Sequence, residues 1–323
     1  MASTESNTDS SLYPFLTPRD ESPSILKLRT VADTGTITFA KPAYVEVRSD
    51  GGLKLEDMAA LPVPSSPSAS SHNDTFWLVS ESHSAYVPLL LDFFSPAHDI
   101  KTYDRASFAH SRLVQVRAAD GAIIREASLP SWMQWDQRYD WDWSQCTGTR
   151  VFQGLHALSI FANDDGGYTL LTANQAALFQ DGGTPNDWDG SHVRLLAFDI
   201  DESSGAATYS HAYRYGTSER KLTPFEKGAR HFTALSALLV LDGTNGTTVL
   251  VAETEDYVGF TQRDHVNRIF RVHLDPRDTV DHCESLLSCD VPAPEKHLVW
   301  EQRGGGHLDG MTRCASRLHP RAR

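Results

Sequence analysis

The sequence predicts an all-β chain of repeated four-stranded antiparallel units, the organisation of a β-propeller. Residues 151–215 divide into four short apolar runs, each near the usual strand length of ~5–6 residues and each closed by turn residues, which reads as one meander. A five-residue pattern of Arg, two apolar residues, any residue and an apolar one recurs as Arg112–Val116, Arg194–Phe198 and Arg268–Val272, at intervals of 82 and 74 residues. Each recurrence falls at the third strand of a unit, so the order of strands repeats along with the motif. Units that cannot bury their own faces stack radially in propellers, and inserted loops account for the long period. A β-sandwich gives strands of similar spacing but not this repeated order.

The elements follow in chain order. Residues 1–22, dense in Ser, Thr, Asp and Glu, read as disordered. Ile25–Arg29 and Thr36–Phe39 read as short strands joined by the turn Asp33-Thr34-Gly35. Leu53–Leu61, Phe76–Ser80, Arg112–Arg117 and Ala122–Leu129 form the first unit, interrupted by a Pro/Ser-rich insertion at Pro62–Ser71 and a tight turn at Asp120-Gly121. The central unit is Val151–Phe161, Tyr168–Ala173, Val193–Ile200 and Ala207–Tyr215, with Asn163–Gly167 as its first turn. A third unit takes Phe232–Leu241, Thr248–Glu253 and Arg268–Leu274. A fourth begins at His307–Thr312, and residues 313–323 form an irregular tail that does not continue the repeat, as an inaccurate gene model would leave. The propeller domain is therefore expected over residues 23–312, incomplete at both ends, since missing blades leave open sheet edges.

Charge and motif content exclude several functions. A net charge of −13 argues against a nucleic-acid surface, which needs clustered Lys and Arg, and is compatible with metal cations. No apolar run approaches the ~20 residues of a membrane span. The opening MASTESNTDSS has no apolar core of a signal peptide, although the sequons at Asn73 and Asn245 fit a secretory route. Of the four cysteines, Cys283 and Cys289 are near enough in sequence to pair; with no CxxC or Cys/His spacing for zinc, free thiols are the expectation. There is no G-x-S-x-G elbow, P-loop or dinucleotide fingerprint, and Gly304–Gly306 reads as a flexible loop. Arg230-His231 lacks the following Gly that a phosphohistidine mechanism uses.

Three segments of the central unit carry a further signal: Phe152-Gln153-Gly154-Leu155-His156-Ala157-Leu158, Thr172–Leu178, and Arg194–Asp199. With Leu55–Met58, Ser80–Ser82, Leu250–Glu253, Arg268–Leu274 and Leu308–Met311, they resemble in order the motifs of the phytase-like family, also described as esterase-like activity of phytase. That resemblance implies a β-propeller and hydrolysis of a phosphate ester or another ester. Gln153, Gln175 and Ala234 stand where the family carries acids, whereas Glu56, Glu81, Glu253 and Asp309 keep acidic side chains.

The expected site follows from these acids. If each closes an inner strand of its blade, Glu56, Glu81, Glu253 and Asp309 converge at one mouth of the channel and favour a hard cation such as Ca²⁺. The alternative is that they bond backbone amides at blade ends and are structural. Under the first reading Glu56 or Glu253 positions the attacking water, and His156 acts as general acid or base. Gln153, Asn174 and Gln175 offer amide groups to cation or substrate. The aromatic loop Trp132–Trp143 either roofs a ligand or pins itself to the sheets by its rings, and the loop Asp181–His192 reads as turns. The favoured function is metal-assisted, phytase-like hydrolysis of a phosphate ester by a monomer acting on a small molecule. A non-catalytic propeller that binds a ligand at a degenerate acidic site is the alternative.

Overall fold

The computed structural model describes residues 24–27, 43–46, 55–60, 75–80, 83–84, 108–117, 121–134, 147–150, 153–164, 166–182, 192–201, 203–218, 230–241, 243–258 and 263–305. Within them the chain is all-β. β1 (Ser24–Lys27) pairs with β2 (Ala43–Glu46). Sheet I contains β3 (Leu55–Ala60), β4 (Thr75–Ser80), β7 (Arg112–Arg117) and β8 (Ile123–Glu126), with the two-residue pair β5 (His83–Ser84) and β6 (Phe108–Ala109) inserted between β4 and β7. Sheet II contains β9 (Leu155–Ala162), β10 (Tyr168–Asn174), β11 (His192–Ile200) and β12 (Ala207–Gly216). Sheet III contains β13 (Arg230–Val240), β14 (Thr248–Val258), β15 (Arg263–His273) and β16 (Lys296–Gly305). All neighbours are antiparallel, and in each sheet the strand order follows the chain order.

Four expectations need correction. The partner of the first strand is Ala43–Glu46, Ser24 lying opposite Glu46; residues 36–39 fall outside the described residues. The third unit does not end at its third strand. Lys296–Gly305 completes it, returning after a long connection, and takes in Gly304 and Gly305, which read as a loop in the sequence. The first unit's last strand is shorter than Ala122–Leu129, because the ladder ends at Glu126. Finally, Cys283 and Cys289 form a disulfide rather than free thiols. Cys146, Cys314, Glu81, Asp309 and residues 307–323 lie outside the described residues.

Sheet II is buried on both faces, which explains its nearly continuous apolar strands. Side chains alternate along β11. Leu196 and Phe198 meet Trp77, Val79 and Leu113 of sheet I, whereas Leu195 and Ala197 meet Val249, Val251 and Val272 of sheet III. Each fully buried aliphatic or aromatic side chain contributes about 1.5–3 kcal/mol, so the two interfaces hold the sheets face to face. The inner strands also lie side by side, β9 packing against both β3 and β13. Leu155 N–H donates to Ser111 Oγ (3.2 Å), while Leu235 N–H donates to the Gln175 carbonyl (2.8 Å) and Val240 N–H to Ser159 Oγ (3.0 Å).

The recurring third-strand arginine has one physical role in three settings. Arg112 forks onto Glu126 of β8 at the surface. Arg194, 1% exposed, forks onto fully buried Asp181 at 2.7 and 2.9 Å and lies over the Trp132 ring. Arg268 joins Glu255 (2.6 Å) and Glu301 of β16 (3.0 Å). Each arginine therefore ties its strand to a carboxylate, and the motif is structural. Trp132 lies in the short 3₁₀ helix Ser131–Met133, half-buried against Arg194 and Tyr209, the arrangement of a loop pinned by its rings. Asp181 likewise belongs to the fold, and the remaining residues of both loops up to 146 and 191 lie outside the described set.

The connection between β15 and β16, residues 274–295, straps sheet III onto the outer strand of sheet II. Val280 and Leu286 are fully buried against Ala212, Arg194 donates to the Cys283 carbonyl, and Arg214 donates to the Cys289 and Val291 carbonyls. Arg214 also meets His192 Nε2 at 2.8 Å. Partial burial, then the Arg214 charge, hold the His192 pKa below its ordinary 6.5, with Asp181 opposing weakly. The folded state thus binds fewer protons than the unfolded chain just below pH 6.5, so His192 favours folding above that value and loses its contribution as pH falls. The melting temperature is expected to drop on acidification from pH 7 to 5.5, and His192→Asn to flatten that slope. An unchanged slope in the variant overturns the assignment.

Candidate functional site

The inner strands share a local irregularity that places the candidate site. In β3 the register shifts between Leu55 and Asp57, in β9 opposite Ala173 and Asn174, and in β13 between Leu235 and Ala237. Each shift is a bulge of one residue, and the bulged residues are Glu56, His156 and Ser236. The residue before each bulge is a leucine, paired with Ser80, Asn174 and Glu253 respectively; Ser80 and Asn174 end their strands, whereas Glu253 lies in the middle of β14. Bulges bend a strand and re-aim a side chain, and they concentrate beside active sites. The three recur at one position of the inner-strand pattern, and those inner strands are packed together.

Glu56 and His156, expected as catalytic residues, therefore occupy equivalent positions on adjacent strands. His156 is half-buried. Ser236, the third equivalent, donates from its hydroxyl to the Ala252 carbonyl (3.2 Å). Ser236 is not among the residues expected at the site, yet the sequence carries its signal: Phe152-Gln153-Gly154-Leu155-His156-Ala157-Leu158 and Phe232-Thr233-Ala234-Leu235-Ser236-Ala237-Leu238 are one motif, 80 residues apart. Ala234, where the family resemblance implies an acid, is buried and opposite Thr254.

Beside the bulges lie polar atoms without partners among the described residues. Gln153 is 6% exposed and its Oε1 accepts no hydrogen bond; Thr233, at the equivalent place in sheet III, is 2% exposed with an unbonded hydroxyl. Asn174 is fully buried, and neither its Nδ2 nor its Oδ1 is hydrogen-bonded. Leaving such a group unsatisfied costs about 1–3 kcal/mol, so this concentration near one strand end points to something the site is built to receive. Gln175 has a different place: its N–H donates to the Gly154 carbonyl and its own carbonyl accepts from Leu235, so its backbone stitches sheet II to sheet III. The segment leading into β9 is tightly set, with Gln153 N–H bonded to the Arg150 carbonyl. The Arg150 guanidinium lies over the Phe179 ring and so near Gly182 that a Cβ there would clash with Nη2.

Glu253 has partners of its own. Its carboxylate is fully buried between sheets II and III and accepts from the Tyr215 hydroxyl (2.5 Å), the Ser218 N–H (3.0 Å) and Lys296 Nζ (2.6 Å). Lys296 also donates to the Gly216 carbonyl and Ser218 Oγ, and lies over the Phe270 and Tyr215 rings. Burial draws the Lys296 pKa down and Glu253 opposes that shift; burial first, then the Glu253 charge, pushes the Tyr215 hydroxyl far above its ordinary range. A carboxylate already neutralised by a lysine and bonded by two further donors is a structural brace. In sheet III it takes the place that Asn174 has in sheet II, opposite the leucine before the bulge, but unlike Asn174 it is fully bonded.

As donors, the residues near the bulges are oxygen groups: the amide oxygens of Gln153 and Asn174, the Thr233 hydroxyl, and the carboxylate that Glu56 brings by sequence. That set fits a hard cation rather than a soft one. The family model described as Phytase-like, esterase-like activity of phytase, matches residues 27–312, most of the chain. The chain belongs to that family. No curated protein matches it.

Proposed function

We propose that this member of the phytase-like family is a β-propeller hydrolase of phosphate esters, with its site at the bulges of the inner strands. Face-to-face packing of successive sheets, with β3, β9 and β13 side by side, supports the radial arrangement. The observation that carries the site is the shared bulge position of Glu56 and His156, next to the unbonded buried oxygens of Gln153 and Asn174. Glu56, Gln153 and Asn174 are the residues that would hold a Ca²⁺-type cation, and Glu81 and Asp309 are the further candidates by sequence. When bound, such a cation supplies positive charge for a phosphoryl oxygen. His156 carries the proton: it takes one from the attacking water or gives one to the leaving oxygen. Glu253 holds sheets II and III together and positions no water.

Turnover of a chromogenic phosphate monoester, with and without Ca²⁺, tests this reading. Calcium-dependent activity that falls about 10²-fold in His156→Ala, and is lost in Glu56→Gln, is the expected result. One observation favours the second reading, a non-catalytic binding module: the acid kept in β14, Glu253, is locked to Lys296. No turnover, together with a calcium-induced rise in melting temperature that Glu56→Gln abolishes, selects the module. No turnover and no rise sinks both.

A further inference from the structure

A second cluster of ligand-type side chains, remote in sequence from the inner strands, forms in the connection between β15 and β16. The disulfided Cys283 and Cys289 have Cα atoms 5.5 Å apart and are flanked in the chain by His282 and Asp290. His282 Nε2 lies 3.7 Å from Asp290 Oδ1, and the ligating atoms of all four residues lie within 4.8 Å of one another. Two sulfurs, one imidazole nitrogen and one carboxylate oxygen make a four-ligand set suited to zinc. With metal–ligand bonds of ~2.0–2.3 Å, the ligand atoms of a tetrahedral site stand about 3.3–3.8 Å apart. The histidine and aspartate already meet that spacing at 3.7 Å. Opening the sulfur–sulfur bond and drawing the set in from its 4.8 Å span completes the tetrahedron.

The sulfurs do not depend on their bond to stay together. Arg194 Nη2 donates to the Cys283 carbonyl at 2.9 Å, and Arg214 Nη1 to the Cys289 carbonyl at 3.2 Å and the Val291 carbonyl at 2.8 Å. Between the cysteines, Leu286 N–H donates to Asp181 Oδ1 at 2.7 Å and its side chain is fully buried with Val280. Both cysteine carbonyls are thus clamped from sheet II by guanidinium groups, one of them fixed by a buried carboxylate. The His282 and Asp290 side chains are 63% and 93% exposed, which leaves the cluster open to an ion from solvent.

We propose that Cys283 and Cys289 form a thiol–disulfide switch over a zinc site, which takes one Zn²⁺-type ion with His282 and Asp290 when reduced and none when oxidised. In the reducing step a dithiol becomes its own disulfide, while the protein disulfide takes up two electrons and two protons to give two thiols. Metal binding then displaces both thiol protons, leaving two thiolate ligands. Thiolate ligands separate this site chemically from the oxygen donors of the inner strands, since soft sulfur selects Zn²⁺ over Ca²⁺.

Cobalt titration of the full chain tests the switch. The protein is reduced with a dithiol, freed of it under inert gas, and titrated with Co²⁺. One equivalent should bind with a thiolate-to-cobalt charge-transfer band and the intense d–d bands of a tetrahedral site, be displaced by Zn²⁺, and fail to appear in the oxidised chain. The double variant His282→Ala/Asp290→Ala keeps the cysteines and both clamps, and should bind at least ~10²-fold more weakly, a loss at or beyond the ~10–100-fold of second-shell changes. Amide exchange at Val280 and Leu286 in the reduced chain reports whether the clamps hold. Retained protection with no thiolate–cobalt band overturns the proposal. So does loss of protection on reduction, or a double variant that binds as tightly as the parent.

Discussion

Lys296→Met should cost about 3–5 kcal/mol of folding stability, the range expected when one partner of a buried ion pair is removed. The lysine is the one cation bonded to Glu253 among the described residues, and without it a fully buried carboxylate keeps only the Tyr215 hydroxyl and the Ser218 N–H. Glu253→Gln should cost less, because Lys296 is 20% exposed and retains the Gly216 carbonyl and Ser218 Oγ. Lys296→Met/Glu253→Gln should recover much of the loss, giving the non-additivity of a coupled pair. Denaturant midpoints at constant m measure these differences. A single-variant loss below about 1 kcal/mol, or losses that simply add in the double variant, means the pair does not brace sheets II and III.

Much of the fold was legible because its strands end at turn residues. In the central unit the four strands fall within a few residues of their expected bounds, since Asn163–Gly167 and the residues around Gly205 punctuate them. β16 was missed for a physical reason. Lys296–Gly305 follows a 22-residue connection, and Leu298, Val299 and Trp300 are all exposed in sequence, so the strand shows no clean period of two to read. The strap itself is invisible locally, because its order comes from Arg194, Arg214 and Asp181, residues about 75–105 positions away.

The candidate site was legible in part. Glu56 and His156 stand out in the sequence for different reasons, one as an acid of the family pattern and one as the histidine on a first strand near Gln153, and only the pairing registers put them in the same place. A bulge is a property of two strands, so a single run of residues does not announce it. Glu253 shows the opposite limit. It reads as one more acid in a convergent set, and nothing near it in sequence names the lysine 43 residues on that neutralises it. Partner identity, more than residue type, separates a ligand from a brace.

Asp181→Ala should be as damaging as Lys296→Met, for a related but more local reason. Arg194 is 1% exposed, and its guanidinium would keep the Val280 and Cys283 carbonyls and the Trp132 ring but lose its only carboxylate among the described residues. A buried charge left without its counter-ion again costs about 3–5 kcal/mol. Leu286 N–H loses its acceptor at the same time, so the strap over β12 loosens as well as the sheet destabilising. Arg194→Met/Asp181→Ala removes both charges and should be less destabilised than Asp181→Ala alone, while leaving Arg214 as the strap's one guanidinium clamp among the described residues. Hydrogen exchange separates the two effects. Amides of Val280 and Leu286, bonded to the Ala212 carbonyl and to Asp181, should lose protection in both variants, whereas β10 and β11 amides should follow global stability only. If strap amides stay protected in Asp181→Ala, the apolar contacts of Val280 and Leu286 and the guanidinium–carbonyl bonds hold the strap without the carboxylate, and the ion pair serves sheet II alone.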